Sequence, residues 1–440
     1  MSQRDYRTIA CGAGFAGDRV DPAVALAGSG QIHAVALECL AERTLVPGLR
    51  ARKMNSDAGA DPRLARRLAP LLPVSVKNRC RIISNLGAAN PAAAARQIAA
   101  LAGKLGIRGL KIAAVIGDDV AHLQDRIAWH GPIKGTLLGA HAYLGSDAIT
   151  EAIRQQADVI VTGRVADSAL FSAEIVPILD HHPNALAGAT TIGHMLECSG
   201  QITGGNFEVT DGGSLSAAAF ASLGYPAAKV YADGSAEIFL LDGAAGRIDQ
   251  LTATLQLLYE VHDPAAYITP DVTIDFTGIS IDEIGHNRVR VSGARAKGRP
   301  THLKVSGFVD EPGFIADVEI GYAGTGALGR ARIAADVLIL RLRDFEPHDI
   351  RIDLVGVDSI LGAASPASPS ALPEVRVHVS ARCADVEWAQ AVEDEVYALT
   401  LSGPAGGGSV RSERRPSMSV IDGLIDRTLV PMSLQWEIAP

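Results

Sequence analysis

In HMLECSGQITGGNF, residues 194–207, His194, Glu197, Cys198 and Gln201 stand at i, i+3, i+4 and i+7, the spacing of one helical face. A carboxyl group perturbed by burial beside an imidazole that titrates near neutrality makes an acid/base pair, so His194 and Glu197 are candidate catalytic groups. The same spacing suits a metal, but no further ligands are visible and none is assigned. The stripe breaks at Gly204–Gly205, where backbone amides can approach a ligand. Gln201, Thr203 and the Asn206 amide flank that turn as binding candidates. The plain alternative is a helix capped by Thr190 or Thr191 and running to about Gln201, its polar stripe satisfied by hydrogen bonds.

Three strand-end loops carry further candidates. In VTGRVADSALF, residues 161–171, a strand ends at Gly163, Arg164 follows, and Asp167 stands where an N-cap would open a helix. Arg164 there suits a bidentate contact with a carboxylate or phosphate and Asp167 adds an acid/base candidate; mutual pairing and capping are the alternative. CGAGFAGDR sets Gly12, Gly14 and Gly17 in GxGxxG spacing, with Glu38 21 residues past Gly17, the outline of a dinucleotide fingerprint. Asp18, Asp21 and Pro22 argue against it, because they delay the helix to about Pro22 and put a negative charge where a diphosphate would lie. A loop offering Gly14, Asp18 and Glu38 to a substrate is the better reading. SNLGAANPAAAA offers Asn85 as a ligand contact, while Asn90–Pro91 reads as an N-cap and first helical residue. GPAGGG, residues 403–408, reads as a helix C-cap and hairpin rather than an anion cradle. GxSxG, HExxH and P-loop motifs are absent, which removes the common serine-hydrolase, zincin and P-loop readings.

The elements that must hold these loops follow from the hydrophobic pattern. RTIACGAG, IHAVALE, RIISNLG, LKIAAVIG and ADVIVTG read as strands, and NPAAAARQIAALAGKLG and SDAITEAIRQQ as helices between them. The fold class is α/β: an N-terminal, mostly parallel sheet with flanking helices, its site at the carboxyl edge, followed by an α+β C-terminal part. From about residue 225, KVYADGSAEIFLLDG reads as a hairpin, further β runs follow, and helices are expected near 249–261 and 326–343. The expected division is residues 1–222 for the α/β domain and 223–440 for the α+β domain, with a linker-like stretch at 361–373.

Composition bounds the function. A net charge of −9 without clustered Lys and Arg excludes a nucleic-acid footprint. Five scattered cysteines with no CxxC pair suit a reducing compartment, and neither a signal peptide nor an apolar span is present, so a cytoplasmic protein without membrane contact is expected.

GAGFAGDR, ECLAERT at 38–44, NLGAANP at 85–91, YLGSDAI at 143–149, VTGRVADSALF, GHMLECSGQITGGNF and LLYEVHDPAAYITPDV at 257–272 together resemble the acyclic terpene utilisation (AtuA-type) family, over nearly the whole chain. The family's NAGG is NLGA here, with Leu86 and Ala88. The resemblance implies a bacterial catabolic setting among acyl-CoA carboxylases, dehydrogenases and hydratases of branched acyl chains. The expectation is a lyase or hydratase acting on a small carboxylate or branched acyl-CoA, in a homo-oligomer, with the cofactor unknown. A non-catalytic subunit or ligand-binding partner of an acyl-CoA enzyme complex is the alternative.

Overall fold

The computed structural model describes residues 5–206, 215–343, 349–366 and 372–440. Two compact units interleave along the chain: the larger holds 1–131, 138–307 and 421–440, the smaller 132–137 and 308–420. Residue 222, the expected domain boundary, lies inside the larger unit, because the hairpin after it pairs with the first strand.

The larger unit is built on a ten-stranded sheet. Five strands are parallel, in the spatial order Tyr6–Ala13, Ala34–Leu37, Arg81–Ser84, Val159–Thr162, Lys111–Ile116. Short apolar runs make these strands because both faces are covered: every residue of Ala34–Leu37 and Val159–Thr162 is buried. Antiparallel strands extend the sheet on each side, the hairpin Ala227–Tyr231/Ala236–Phe239 next to the first strand and Ser433–Ile438 beside Lys111–Ile116. The hairpin turns at Asp233–Gly234, where Gly234 has φ +81°, as the DG signal requires.

Helices cover the sheet where local signals permit. Pro91–Lys104 starts as expected, with the Asn90 side chain accepting from the Ala93 N–H at 3.2 Å and Pro91 in the first turn. Asp21–Gly28 begins after the glycine loop, as the delayed start predicts. Two readings need correction. The helix carrying His194 and Glu197 spans Pro183–Glu197, starting at Pro183 behind a His182 cap rather than at Thr190 or Thr191. It stops at Glu197, and Ser199–Gln201 is a separate 3-10 turn with Ser199 at φ +46°, so the i+7 member Gln201 leaves the stripe. Asp167 does not cap the helix Ala169–Ile175; Ser168 holds that position with no side-chain cap bond, and the Asp167 carboxylate turns to Arg164 instead.

The smaller unit has its own core. Strands Glu374–Cys383 and Asp349–Val355 pair with each other, and Glu374–Cys383 pairs with Phe314–Ala323. Val375, Val377, Val379 and Ala381 alternate with exposed or half-buried polar residues, so one sheet face is apolar. Helices Ala327–Leu342 and Val386–Ser402 bury Leu338, Leu342, Val392 and Val396 in the same cluster. This is the α+β pattern expected of the C-terminal part. Part of the linker-like stretch, 367–371, lies outside the described residues.

Candidate active site

A cavity of about 780 Å³ opens at the carboxyl edge of the parallel strands, within the larger unit. Three strand ends supply its floor through Gly14, Glu38 and Arg164. The other two strand ends stand one layer behind. Asn85 donates from Nδ2 to Glu38 Oε1 at 2.9 Å and accepts the Cys39 N–H at 2.7 Å. Asp118 accepts the Arg164 N–H at 2.8 Å and pairs with His141 Nδ1 at 2.8 Å. Asn85 is therefore a support for Glu38 and does not line the cavity, which corrects its reading as a ligand contact.

Glu197 reaches the cavity from the end of its helix, and His194 stands behind it. His194 is 1% exposed; its Nδ1 lies 2.9 Å from Glu197 Oε1 and its Nε2 3.1 Å from the Leu257 carbonyl oxygen. A carbonyl only accepts, so Nε2 carries a proton and Nδ1 is the atom that exchanges one with Glu197. Tyr267 and Phe276 flank the imidazole, with ring centroids 4.9 and 5.9 Å away. Burial pushes the Glu197 carboxyl up to about 7, against the pull of His194 and helped by the charges of Asp167 and Glu260. Burial works against the charged imidazole, yet Glu197 raises His194 above its usual value. The pair thus holds one proton near neutrality. His194 serves as the partner that tunes Glu197, not as a group facing the cavity.

Glu38 is a second buried carboxyl, 8% exposed, pushed up to about 8 by burial and by Asp167, with Arg164 and Asn85 opposing. Its Oε1 accepts from both Asn85 and the Leu40 N–H at 2.9 Å, which leaves Oε2 to carry a proton. Asp167 is raised by burial, against the attraction of Arg164. Arg164 is 3% exposed and gives hydrogen bonds to the Val165, Leu40 and Asp167 oxygens, so most of its fork is engaged within the protein. Its guanidinium lies 4.6 Å from the Tyr143 ring, whose other neighbour is the Lys304 ammonium at 5.0 Å; the Tyr143 hydroxyl donates to Glu42. Arg43 and Lys304 line the same cavity and add positive charge beside Arg164.

Asp18 lines the cavity while its Oδ2 accepts the Gly14 N–H at 2.8 Å, closing its own loop. A Cβ on Gly14 would lie 2.1 Å from the Glu197 carbonyl oxygen, so this glycine serves close packing against the helix end and not a diphosphate. Gln201, Gly205 and Asn206 line the cavity, and Asn206 Nδ2 contacts Gln201 Oε1 at 3.4 Å. The Gly204–Gly205 turn does not offer its amides: the Gly204 N–H donates to Gln201 at 3.2 Å and the Gly205 N–H to Gly200 at 2.8 Å. Thr203 is fully buried and donates to the Gly200 and Gly224 carbonyls. Thr203 and Gly204 are thus structural, which corrects their reading as substrate contacts.

Sequence reasoning passed over Glu42, Arg43, Tyr143, Glu260 and Lys304, which also line the cavity. They occupy no chemical motif, although ECLAERT, YLGSDAI, LLYEVHD and the 290–305 stretch contain them. A smaller cavity of about 270 Å³ shares Tyr143, Asp167, Glu197, Glu260 and Lys304 with the first and is lined also by His194 and Tyr267. Among the described residues, no group of three or more His, Cys, Asp or Glu side chains is arranged to hold a metal, and no helix is long and apolar enough to cross a membrane.

Fold and cavity define an α/β protein with its candidate site at the carboxyl edge of a parallel sheet, furnished with carboxyl groups that titrate near neutrality. The chain belongs to the acyclic terpene utilisation (AtuA) family, whose model matches residues 7–436. Membership implies a role in acyclic terpene catabolism. No curated protein and no solved structure matches the chain.

Proposed function

We propose that the protein is a lyase or hydratase of that catabolism, acting on a small carboxylate or branched acyl-CoA by acid/base chemistry. The observation that carries this reading is the His194–Glu197 pair, whose shared proton borders a cavity that also holds the buried acid Glu38. In the dehydration direction Glu197, ionised, takes the proton from the carbon beside the carbonyl. Lys304 and Arg43 offset the negative charge that develops on the carbonyl oxygen. Glu38 gives its proton to the departing hydroxyl, and water leaves. The proton on Glu197 then returns to Glu38 through solvent, which closes the cycle. Hydration is the reverse. Asp18 and Asp167 border the same space; burial is the main reason Glu38 and Glu197 hold their protons to higher pH, and the charge of Asp167 adds to it.

The test begins with a thermal-shift screen against short and branched acyl-CoAs and di- and tricarboxylates. A ligand at 100 times its dissociation constant stabilises the fold by about 2.7 kcal/mol. The hits are then assayed for elimination or addition of water with wild type and Glu197→Gln. Turnover that disappears in the variant while the thermal shift remains supports catalysis. Binding without turnover in wild type supports a ligand-binding subunit instead.

A further inference from the structure

A second cavity, of about 550 Å³, lies at the opposite, amino edge of the parallel strands, again within the larger unit. We infer that it binds a small, multiply charged oxyanion of the pyrophosphate type, independently of the candidate active site. Four arginines border it: Arg7 on the strand Tyr6–Ala13, Arg79 just ahead of the strand Arg81–Ser84, Arg81 at its start, and Arg108 ahead of the strand Lys111–Ile116. Two acids stand against them, and both are committed to the protein. Glu174 pairs with Arg81 at 2.5 Å and Arg7 at 3.7 Å, and Asp158 accepts the Lys111 N–H at 2.8 Å. Arg79 and Arg108 are exposed and have no ion-pair partner among the described residues. In a chain of net charge −9, this leaves a locally positive cavity with two uncommitted guanidinium forks, the group best shaped for bidentate contact with phosphate oxygens.

Two further observations point to a ligand. Ser75 borders the cavity at 3% exposure, and its hydroxyl has no hydrogen-bond partner among the described residues. Buried hydroxyls are rarely left so; this one is closed off from solvent as the cavity stands, and an oxyanion oxygen reaches it with a small shift of the lining. His33 also borders the cavity; its Nδ1 accepts the Thr8 N–H at 3.0 Å, which makes Nε2 the protonated nitrogen and a neutral donor.

The competing explanation is that these arginines offset the negative helix ends gathered at this edge, since Arg79 caps the helix Leu64–Asn78. Arg79 adopts φ +53°, a left-handed conformation in which glycine is at ease and a β-carbon is not. A side chain stands where the backbone would do better without one. The two explanations separate cleanly in Arg79→Gly.

Calorimetric titration of the full chain with inorganic pyrophosphate at low salt is the experiment. Wild type is expected to bind, with affinity falling as salt rises. Arg79→Ala/Arg108→Ala is expected to weaken binding about tenfold or more, a change of about 1.4 kcal/mol per decade. Arg79→Gly is expected to weaken it without lowering the melting temperature, and Arg43→Ala, at the opposite edge, to leave it unchanged. Absence of binding by wild type overturns the proposal. So does weakening by Arg43→Ala with the double variant unaffected, which places the anion in the other cavity. A lower melting temperature in Arg79→Gly with unchanged pyrophosphate affinity assigns Arg79 to the helix end alone and overturns the site.

Discussion

Glu197 and Glu38 have opposite requirements, one ionised and one protonated, and their surroundings set the pH range in which both are met. With Glu197 near 7 and Glu38 near 8, kcat/KM is expected to trace a narrow bell whose limbs fall at about those values. Glu197→Gln should lower kcat by about 100- to 10,000-fold, the usual worth of a positioned base. In His194→Gln the charge that holds Glu197 down is gone while burial, Asp167 and Glu260 still push it up. The acid limb should therefore move to higher pH; an acid limb that stays in place would show that His194 does not tune the base. The same burial has a stability consequence of defined sign. Glu38 keeps its proton in the fold well above the ordinary glutamate value, so the native state binds more protons than the unfolded chain between about 4.5 and about 8. Stability contributed by the protonated form is present below that window and is lost as pH rises through it. Glu38→Gln, which cannot ionise, should leave the melting temperature near that of wild type at pH 5 and above it at pH 9. Melting curves of the two proteins that fall in parallel with pH would sink the assignment.

Two glycine contacts hold the helix Pro183–Glu197 at the distance that brings its last residue into the cavity. A Cβ at Gly193 would lie 2.5 Å from the Ser168 carbonyl oxygen, and one at Gly14 would lie 2.1 Å from the Glu197 carbonyl. Alanine in place of a helical glycine gains about 1 kcal/mol of intrinsic propensity, whereas overpacking against backbone costs about 1–3 kcal/mol. Gly193→Ala is thus expected to destabilise on balance, by up to about 2 kcal/mol, and to reduce turnover by displacing Glu197 from its place at the cavity. A variant with higher stability and full activity would show that the clash relaxes freely. This pair of contacts also marks where the sequence stops being legible. The five parallel strands can be read from it because residues buried on both faces must be apolar, and their ends show as glycines and polar residues. The helices Glu42–Met54 and Leu64–Asn78 escape, because Pro47, Pro70 and Pro73 lie inside them and read as breakers. The end of the His194 helix escapes for another reason: the left-handed residue that stops it is Ser199, while the glycines that look like the stop come later. Glu38, Arg164 and Glu197 were visible at strand and helix ends. Lys304, Glu260 and Tyr143 reach the cavity from distant parts of the chain, and only the folded backbone brings them there.

Separate hydrophobic cores in the two units, seen among the described residues, imply two stabilities, and the candidate site belongs to only one of them. Leu68, fully buried, sits in the core of the larger unit, with residues of the strands that end at the cavity. Leu338, also fully buried, sits in the separate core of the smaller unit. Loss of a buried leucine side chain costs about 2–5 kcal/mol, and each loss falls on its own core. Sedimentation fixes the assembly state first: a homo-oligomer is the expectation from the sequence, and a species of 45.9 kDa at micromolar concentration would refute it. Scanning calorimetry is then expected to resolve two transitions, because a chain with two cores need not unfold in one step. Leu68→Ala should lower one and Leu338→Ala the other. A ligand of the candidate site should raise only the transition that Leu68→Ala lowers, since binding stabilises the unit that holds the ligand and releases it on unfolding. A single transition displaced alike by both substitutions and by the ligand would mean that the two cores unfold as one, and that every residue in either bears on the site through global stability.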